Sequence, residues 1–478
     1  MLFMLLPFPI VIRKSARQVE LVSVSLCLCV SVAPPLPLPR RRVSARVWTP
    51  PRVSDRFPPR PAGRERNTDS NMPDLHQLSP LGFRAAGVYA GIKTKQAPDV
   101  GLLVCDAPAP TAAATFTTNK VFAAPVKIGR EHLAESSGRI RAVVVNAGNA
   151  NACTGRQGDK DARRMCEVAA DIVGCEAWEV LPSSTGIIGH LMPMEKVERG
   201  IDDAGRRLGD SAEHALQFAD AILTTDTKRK SAAARVRIGR QFVTLAGVCK
   251  GSGMIGPRLA LKAPHATMLA YLTTDAKVPR TVLASLLQEA SDDSFNAVTV
   301  DDHASTNDTA AILASGASGV ALGGRADLRK FADALADVCR SLAYQIAADG
   351  EGATKVVTVR VRGASTDAAA RAIARAVANS PLVKCAMHGN DPNWGRIVSA
   401  AGFSGAEFDP GKCTLTLQGT VVFRNGQPVP FDDATVSASL NAKDVTAELT
   451  CRMGKGEATC WTCDLSKDYV TINADYHT

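Results

Sequence analysis

Nothing near the N-terminus of this chain is long enough to cross a bilayer. The apolar stretches Met1 to Ile12 and Leu21 to Val32 both fall short of the roughly 20 residues a spanning helix needs. A disulfide framework is also missing: 13 cysteines are scattered through 478 residues without a pairing pattern, which points to reduced thiols. The single C-x-x-C, Cys460 to Cys463, has only Cys451 and His477 near it, too few ligands at the wrong spacing for structural zinc, so it reads as positions on alternate faces of a C-terminal strand. None of the eight histidines falls in a Ser-His-Asp or H-E-x-x-H arrangement, so those hydrolytic chemistries lack their base or their ligands. The body of the chain lacks net positive charge. Of the net +9, eight charges sit in residues 1–71, where eleven arginines and Lys14 face four acidic residues. A near-neutral body argues against a nucleic-acid-binding fold, leaving the Arg-rich leader as the one candidate nucleic-acid arm, and neither nucleic acid nor membrane is the expected partner.

Residues 1–71 do hold 11 of the 27 prolines, with no periodicity after about residue 33, and read as a disordered leader. An Arg-rich, acid-poor leader is either an organelle transit peptide, which would direct the protein to mitochondria, or an extension upstream of a start at Met72, which leaves a cytoplasmic protein.

Beyond it, strands and helices alternate. Ala142 to Val145 is an apolar run ending in the turn-rich Asn146 to Asn149, and Asp161 to Val173 follows with helical spacing. Val180 to Pro182 leads into a polar loop, Ser183 to Gly186, before an amphipathic helix marked by Met194, Val197, Ile201 and Leu208. Helices are predicted over Arg280 to Ala290, Ala326 to Ala348 and Thr366 to Asn379, with a half-buried strand through Val357, Val359 and Val361. The tail from Lys412 onward looks strand-dominated. The class is α/β or α+β with mixed sheets.

The stretch from Lys250 to Asp275 carries the chemistry and has two readings. Gly251, Gly253 and Gly256 spell G-x-G-x-x-G after the strand-like Phe242 to Val248, with Asp275 downstream, as a dinucleotide fingerprint requires. That fingerprint must open a helix, whereas Pro257 and Pro264 follow and Met268 to Leu272 reads as a buried strand. In the other reading, Ala266-Thr267 places a small residue before a hydroxyl nucleophile at the head of that strand. Cutting the bond before Thr267 would free an α-amine of pKa about 7.7 to 8.0, able to serve as the threonine's own base.

The surroundings favour the second reading. Thr117-Thr118-Asn119-Lys120, Asn146 to Asn151, Ser183 to Gly186, Thr224-Thr225-Asp226-Thr227, Lys250 to Ile255, Ala266 to Leu269, Ser305 to Thr309, Asp349 to Lys355, Gly389 to Arg396 and Asn473 to Thr478 stand in one order along the body. In these blocks the chain resembles the glutamate N-acetyltransferases, or ornithine acetyltransferases, of arginine biosynthesis.

The resemblance implies a layered acetyltransferase/aminopeptidase-type fold, self-cleaved into an α chain (72–266) and a β chain (267–478) that assemble as two of each. It implies Thr267 as nucleophile, Thr185 and Gly186 as the oxyanion hole, and Thr224, Lys250, Thr267, Glu351, Asn473 and Thr478 as substrate-binding positions. The substrates would be N2-acetylornithine and glutamate, with no cofactor or metal and with acetyl-CoA as a second acetyl donor in bifunctional members. Two departures stand out. Eight residues, Arg258 to His265, separate Pro257 from Ala266, and Asp301-Asp302-His303-Ala304 precedes Ser305 where the family has a glycine. A self-cleaving aminopeptidase of the same broad fold and an uncleaved, inactive homologue remain the alternatives.

Overall fold

The computed structural model describes residues 75–259 and 268–475. The leader, Ala266, Thr267, Thr478 and most of the segment before the Ala266–Thr267 bond therefore lie outside the described residues.

Three mixed sheets organise the chain. The first runs β1 (Phe83–Val88), β2 (Val100–Cys105), β4 (Ala142–Asn149) and β5 (Val180–Ile187), with only the β4–β5 pair parallel. The second runs β3 (Thr111–Phe116), β9 (Thr309–Ala314), β8 (Leu269–Thr274), β7 (Gln241–Lys250) and β6 (Lys230–Ile238). It draws strands from both sides of the Ala266–Thr267 bond. Antiparallel β7 pairs Lys250 with Leu269, and parallel β9 pairs Thr309 with that same residue.

Helices α1 (Ala124–Glu135), α2 (Gly155–Val173) and α3 (Met194–Arg206) cover one face of the first sheet, burying Ile128, Met165 and Ile201 against Leu102 and Val144. Its other face, with Leu103, Val143 and Val145, meets Tyr271, Leu269 and Leu313 of the second sheet. Helix α4 (Ala212–Ala221) adds Phe218, which packs edge-on against Tyr271 at 5.7 Å. On the far face of the second sheet, Leu245, Leu272 and Ile312 pack on α5 (Arg280–Asp292) and α6 (Arg325–Ala348). Period-2 alternation along each strand feeds two cores at once, giving helix, sheet, sheet, helix layers.

The third sheet runs β13 (Gln427–Pro428), β12 (Thr420–Arg424), β11 (Thr414–Leu417), β14 (Asp444–Thr450), β10 (Val356–Ala364) and β15 (Gly456–Cys463). Val357, Val359 and Val361 face a separate core with α7 (Asp367–Asn379), α8 (Pro381–His388), α9 (Trp394–Gly402) and α10 (Asp433–Ser439). Strand β15 serves both sides: Cys460 is buried in this core and Cys463 in the core beneath α6, which is the alternate-face placement their spacing implies. The final element is α11 (Lys467–Asp475).

Two expectations need correction. Asn146 to Asn149 and Ser183 to Gly186 are not loops but the continuing ends of β4 and β5. Two of their polar side chains are satisfied within the buried strands, Ser184 Oγ donating to Asn146 Oδ1 at 2.6 Å and Asn146 Nδ2 to the Asn149 carbonyl at 2.9 Å. The tail is strand-dominated as its pattern implies, carrying β11 to β15, with two helices besides: α10, which Asp432 caps by accepting from Thr435 N–H, and α11, which closes the described chain. Among the described residues no helix is long and apolar enough to cross a membrane.

Leu342 on α6 is fully buried and would be met by any side chain added at Gly247 of β7. Leu342→Ala should lower unfolding stability by about 2–5 kcal/mol through the cavity it leaves. Urea denaturation should show a lower midpoint at unchanged slope.

Candidate active site

The glycine-rich stretch after β7 opens no helix. Residues 251–259 are irregular, the next helix among the described residues is α5, and Asp275 is occupied in accepting Thr244 N–H (2.8 Å) and Leu81 N–H (3.4 Å). The dinucleotide reading has neither its helix N-terminus nor a free acidic residue.

What the stretch does is carry Lys250 into the interior beside strand β8. Lys250 is 4% exposed and its Nζ lies 3.9 Å from Asp226 Oδ2. Asp226, in the loop after α4, accepts from Lys230 Nζ (2.7 Å) and Gly251 N–H (2.7 Å) through Oδ1, and from Thr224 N–H (3.1 Å) through Oδ2. Lys230 spends its remaining protons on Asp349 Oδ2 (2.5 Å) and the Lys228 carbonyl (3.3 Å). Asp349, at the C-terminus of α6, also accepts from Thr227 N–H (3.1 Å) and the Thr227 hydroxyl.

Burial alone would raise the Asp226 carboxyl, but the Lys250 and Lys230 ammoniums, the Lys230 hydrogen bond and Gly251 N–H outweigh it and hold the group down to about 2. Burial pulls the Lys250 ammonium below its usual value, with Asp226 as the main opposing charge. These charges are affordable in the interior only because they are matched.

The same network reaches Glu351. Ser252 Oγ donates to the Asp349 carbonyl (2.6 Å), and Glu351 N–H donates to the Ser252 carbonyl (3.1 Å). The Glu351 carboxylate accepts from Asn473 Nδ2 of α11 at 2.8 Å, so two positions 122 residues apart meet directly. Gly253 makes this possible, because a Cβ there would overlap the Glu351 carboxyl. Asp301, the first residue of the departing Asp301-Asp302 pair, holds the loop by accepting Met254 and Ile255 N–H, both at 2.8 Å. Asp302 is flanked by Arg258 (3.6 Å) and Arg375 (3.5 Å).

Thr185 and Gly186 stand at the end of β5. Gly186 has φ +131°, and a Cβ on it would overlap the Gly148 backbone of β4, so both the backbone angle and the strand contact demand glycine. The end of β5 is stitched to the second sheet: Ala150 N–H donates to the Ile187 carbonyl (2.9 Å), and Asn307 Nδ2 donates to the Ala150 carbonyl (2.9 Å). Thr117 Oγ1 reaches the Ser305 carbonyl at 2.8 Å. Between the clusters lies Lys93, lowered to about 8 by burial despite Asp99 and Asp226 nearby.

Of the sequence-predicted residues, the structure thus links Thr224, Lys250, Glu351 and Asn473 in one network, and it places Thr185 and Gly186 on a β5 end bonded to the loop before β9. Ala266, Thr267 and Thr478 lie outside the described residues. Thr267 precedes Met268, whose carbonyl accepts from Thr309 N–H at 2.8 Å. Asp308 beside it has both carboxylate oxygens buried, and burial pushes it well above the usual carboxylate range against the pull of the Lys250 ammonium. Reading by motif missed Asp226, Lys230, Asp349, Lys93 and Asp308. Asp226, Asp349 and Asp308 sit inside the quoted blocks, but nothing local to them marks a buried charge.

Lys230→Met leaves Asp226 and Asp349 buried with one cation fewer and should cost about 3–5 kcal/mol of stability. Asp226 is depressed in the folded state, so its contribution is present above its unfolded pKa of about 3.9 and is lost as pH falls toward about 2. In Lys230→Met that acid loss should begin at higher pH, which thermal melts between pH 6 and 3 would register.

Residues 84–478 match the ArgJ family. The arginine biosynthesis bifunctional protein ArgJ of Symbiobacterium thermophilum is 48% identical over 404 residues, covering 84% of this chain and 98% of that protein. Its counterpart in Thermotoga neapolitana is 45% identical over 410 residues, 84% of this chain and 99% of its own. Among solved structures, ornithine acetyltransferase complexed with ornithine from Mycobacterium tuberculosis is similar at 38% identity and a TM-score of 0.37, over 39% of this chain and 96% of that one. With a match over most of its length and relatives covered almost end to end, this chain belongs to the ArgJ family.

Proposed function

We propose that the protein transfers an acetyl group from N2-acetylornithine to glutamate in arginine biosynthesis. Family membership supports the reaction. The observation that supports its location is the convergence of Lys250, Thr224, Glu351 and Asn473 beside the head of β8, which is flanked by Lys250 on one side and Thr309 on the other.

In this reading the bond between Ala266 and Thr267 is cut, freeing the Thr267 α-amine. The amine takes the hydroxyl proton as Thr267 Oγ1 attacks the acetyl carbonyl, and the tetrahedral oxyanion is met by the Thr185 hydroxyl and Gly186 N–H, each such donor being worth about 2.7–4 kcal/mol. Collapse breaks the amide C–N bond, ornithine leaves with the proton, and an acetyl ester remains on Thr267. The glutamate amine then attacks the ester, N-acetylglutamate departs, and Thr267 Oγ1 recovers its proton. Lys250 suits the α-carboxylate of an amino acid, and Glu351 with Asn473 suits an amine. Thr478 completes the substrate contacts.

No cofactor or metal enters these steps. The relatives' name, bifunctional, supports acetyl-CoA as a second acetyl donor. Because β7 and β8 pair across the cut bond, the two chains (72–266 and 267–478) of this reading stay joined by a shared sheet.

Intact-mass measurement of the purified protein should show two chains divided before Thr267, and Thr267→Ala should remain one uncut chain. Initial rates with varied N2-acetylornithine and glutamate should give the parallel lines of ping-pong kinetics, and an acetyl-Thr267 peptide should be trapped when glutamate is omitted. Intersecting lines, or a cut Thr267→Ala chain, would overturn the assignment.

A further inference from the structure

Four charged side chains are buried behind the substrate positions, and their partners are unequal. Lys230 is saturated: its three protons go to Asp226 Oδ1 at 2.7 Å, Asp349 Oδ2 at 2.5 Å and the Lys228 carbonyl at 3.3 Å. Asp349 is consumed by Lys230 and by the backbone of Thr227 and Lys228. Lys250 is different. Its nearest carboxylate is Asp226 Oδ2 at 3.9 Å, an ion-pair distance too long for a hydrogen bond, and no hydrogen bond to its Nζ is found among the described residues. Asp226 alone touches all the parts: the Lys230 anchor, the Gly251 N–H that follows Lys250, the Thr224 N–H and the Lys250 ammonium.

We propose that Asp226 is a positioning residue acting through Lys250. It keeps that ammonium charged and aimed at the head of β8, while Lys230 and Asp349 hold Asp226 in place so that Lys250 stays available for the carboxylate of the amino-acid substrate. The inference rests on the acetyl-transfer reading above and adds a group to which that reading gives no role.

The charge balance follows from every group facing Lys250. Asp226 on the α4–β6 loop, Asp308 before β9 and Glu351 after α6 favour its protonated form, and Lys230 on β6 opposes it. Lys93, after β1, is also coupled to it. Asp308 is itself pushed toward neutrality by burial, and Glu351 is engaged by Asn473, which leaves Asp226 as the principal counter-charge. A fully buried lysine without that counter-charge loses its proton at lower pH. Its hold on a carboxylate should then fade as pH rises.

The test compares wild type, Asp226→Asn and Asp226→Glu as full chains, matched by intact mass for extent of cleavage and by circular dichroism for folding. The KM for glutamate and kcat are measured from pH 6.5 to 9.5. Asp226→Asn should raise KM about tenfold at pH 7, with kcat changed less than threefold, and the KM should climb further with pH while wild type stays flat. Asp226→Glu keeps the charge, so its KM should be raised without the added pH dependence. On a Lys250→Met background, Asp226→Asn should change KM less than twofold.

A uniform loss of activity with an unchanged pH profile would assign Asp226 a purely structural role and overturn the inference. So would an equal KM penalty with and without Lys250. A wild type that forms no N-acetylglutamate from N2-acetylornithine would instead overturn the acetyl-transfer reading, and the two failures are separate.

Discussion

The Asp226 carboxylate is the contact on which the rest of the interior depends. It joins the loop after α4, the start of β6 and the end of β7, and through Lys230 it reaches the C-terminus of α6. In a low-dielectric interior every one of these charges needs its partner at hydrogen-bond or ion-pair distance. Four separate segments are therefore held in one relative position, and Thr224, Lys250 and Glu351 inherit that position.

The two stacked sheets supply the frame. Both faces of the second sheet are buried, by the first sheet on one side and by α5 and α6 on the other, so its central strand β8 enters at a fixed register between β7 and β9. A register slip by one residue would turn Tyr271 out of one core and Leu272 out of the other. The residues beside the head of β8 are thus set by core packing rather than by local preference. The third sheet is attached through β15, whose opposite faces fill two different cores and bring α11, with Asn473, up to Glu351.

Much of this was legible in the chain. Helix α6 announced itself through Leu328, Phe331, Leu335, Val338, Leu342 and Ile346, all buried as their spacing implies except the half-buried Leu328. The Val357, Val359 and Val361 strand, the Thr366-capped α7 and the irregular stretch after Gly251 were equally plain. The ends of β4 and β5 were not. Asn146, Ser183, Ser184 and Thr185 are polar, and a polar run reads as loop unless its pairing is known, and the backbone ladder and the Ser184–Asn146 bond that hold it lie across two strands. Lys230 and Asp349 escaped for the same reason: they are 119 residues apart, and nothing local to either marks a buried charge.

The sequence alone determined the class of fold, the periodic elements and the ordered blocks that place the chain in its family, because hydrophobic periodicity and glycine positions are local properties. Tertiary structure alone decided which of those blocks touch. That Glu351 meets Asn473, that Gly186 crosses Gly148 and that Asp226 faces Lys250 are outcomes of sheet register and of matching charge among buried groups. Both are set by the partner segment, and no single stretch of sequence contains them.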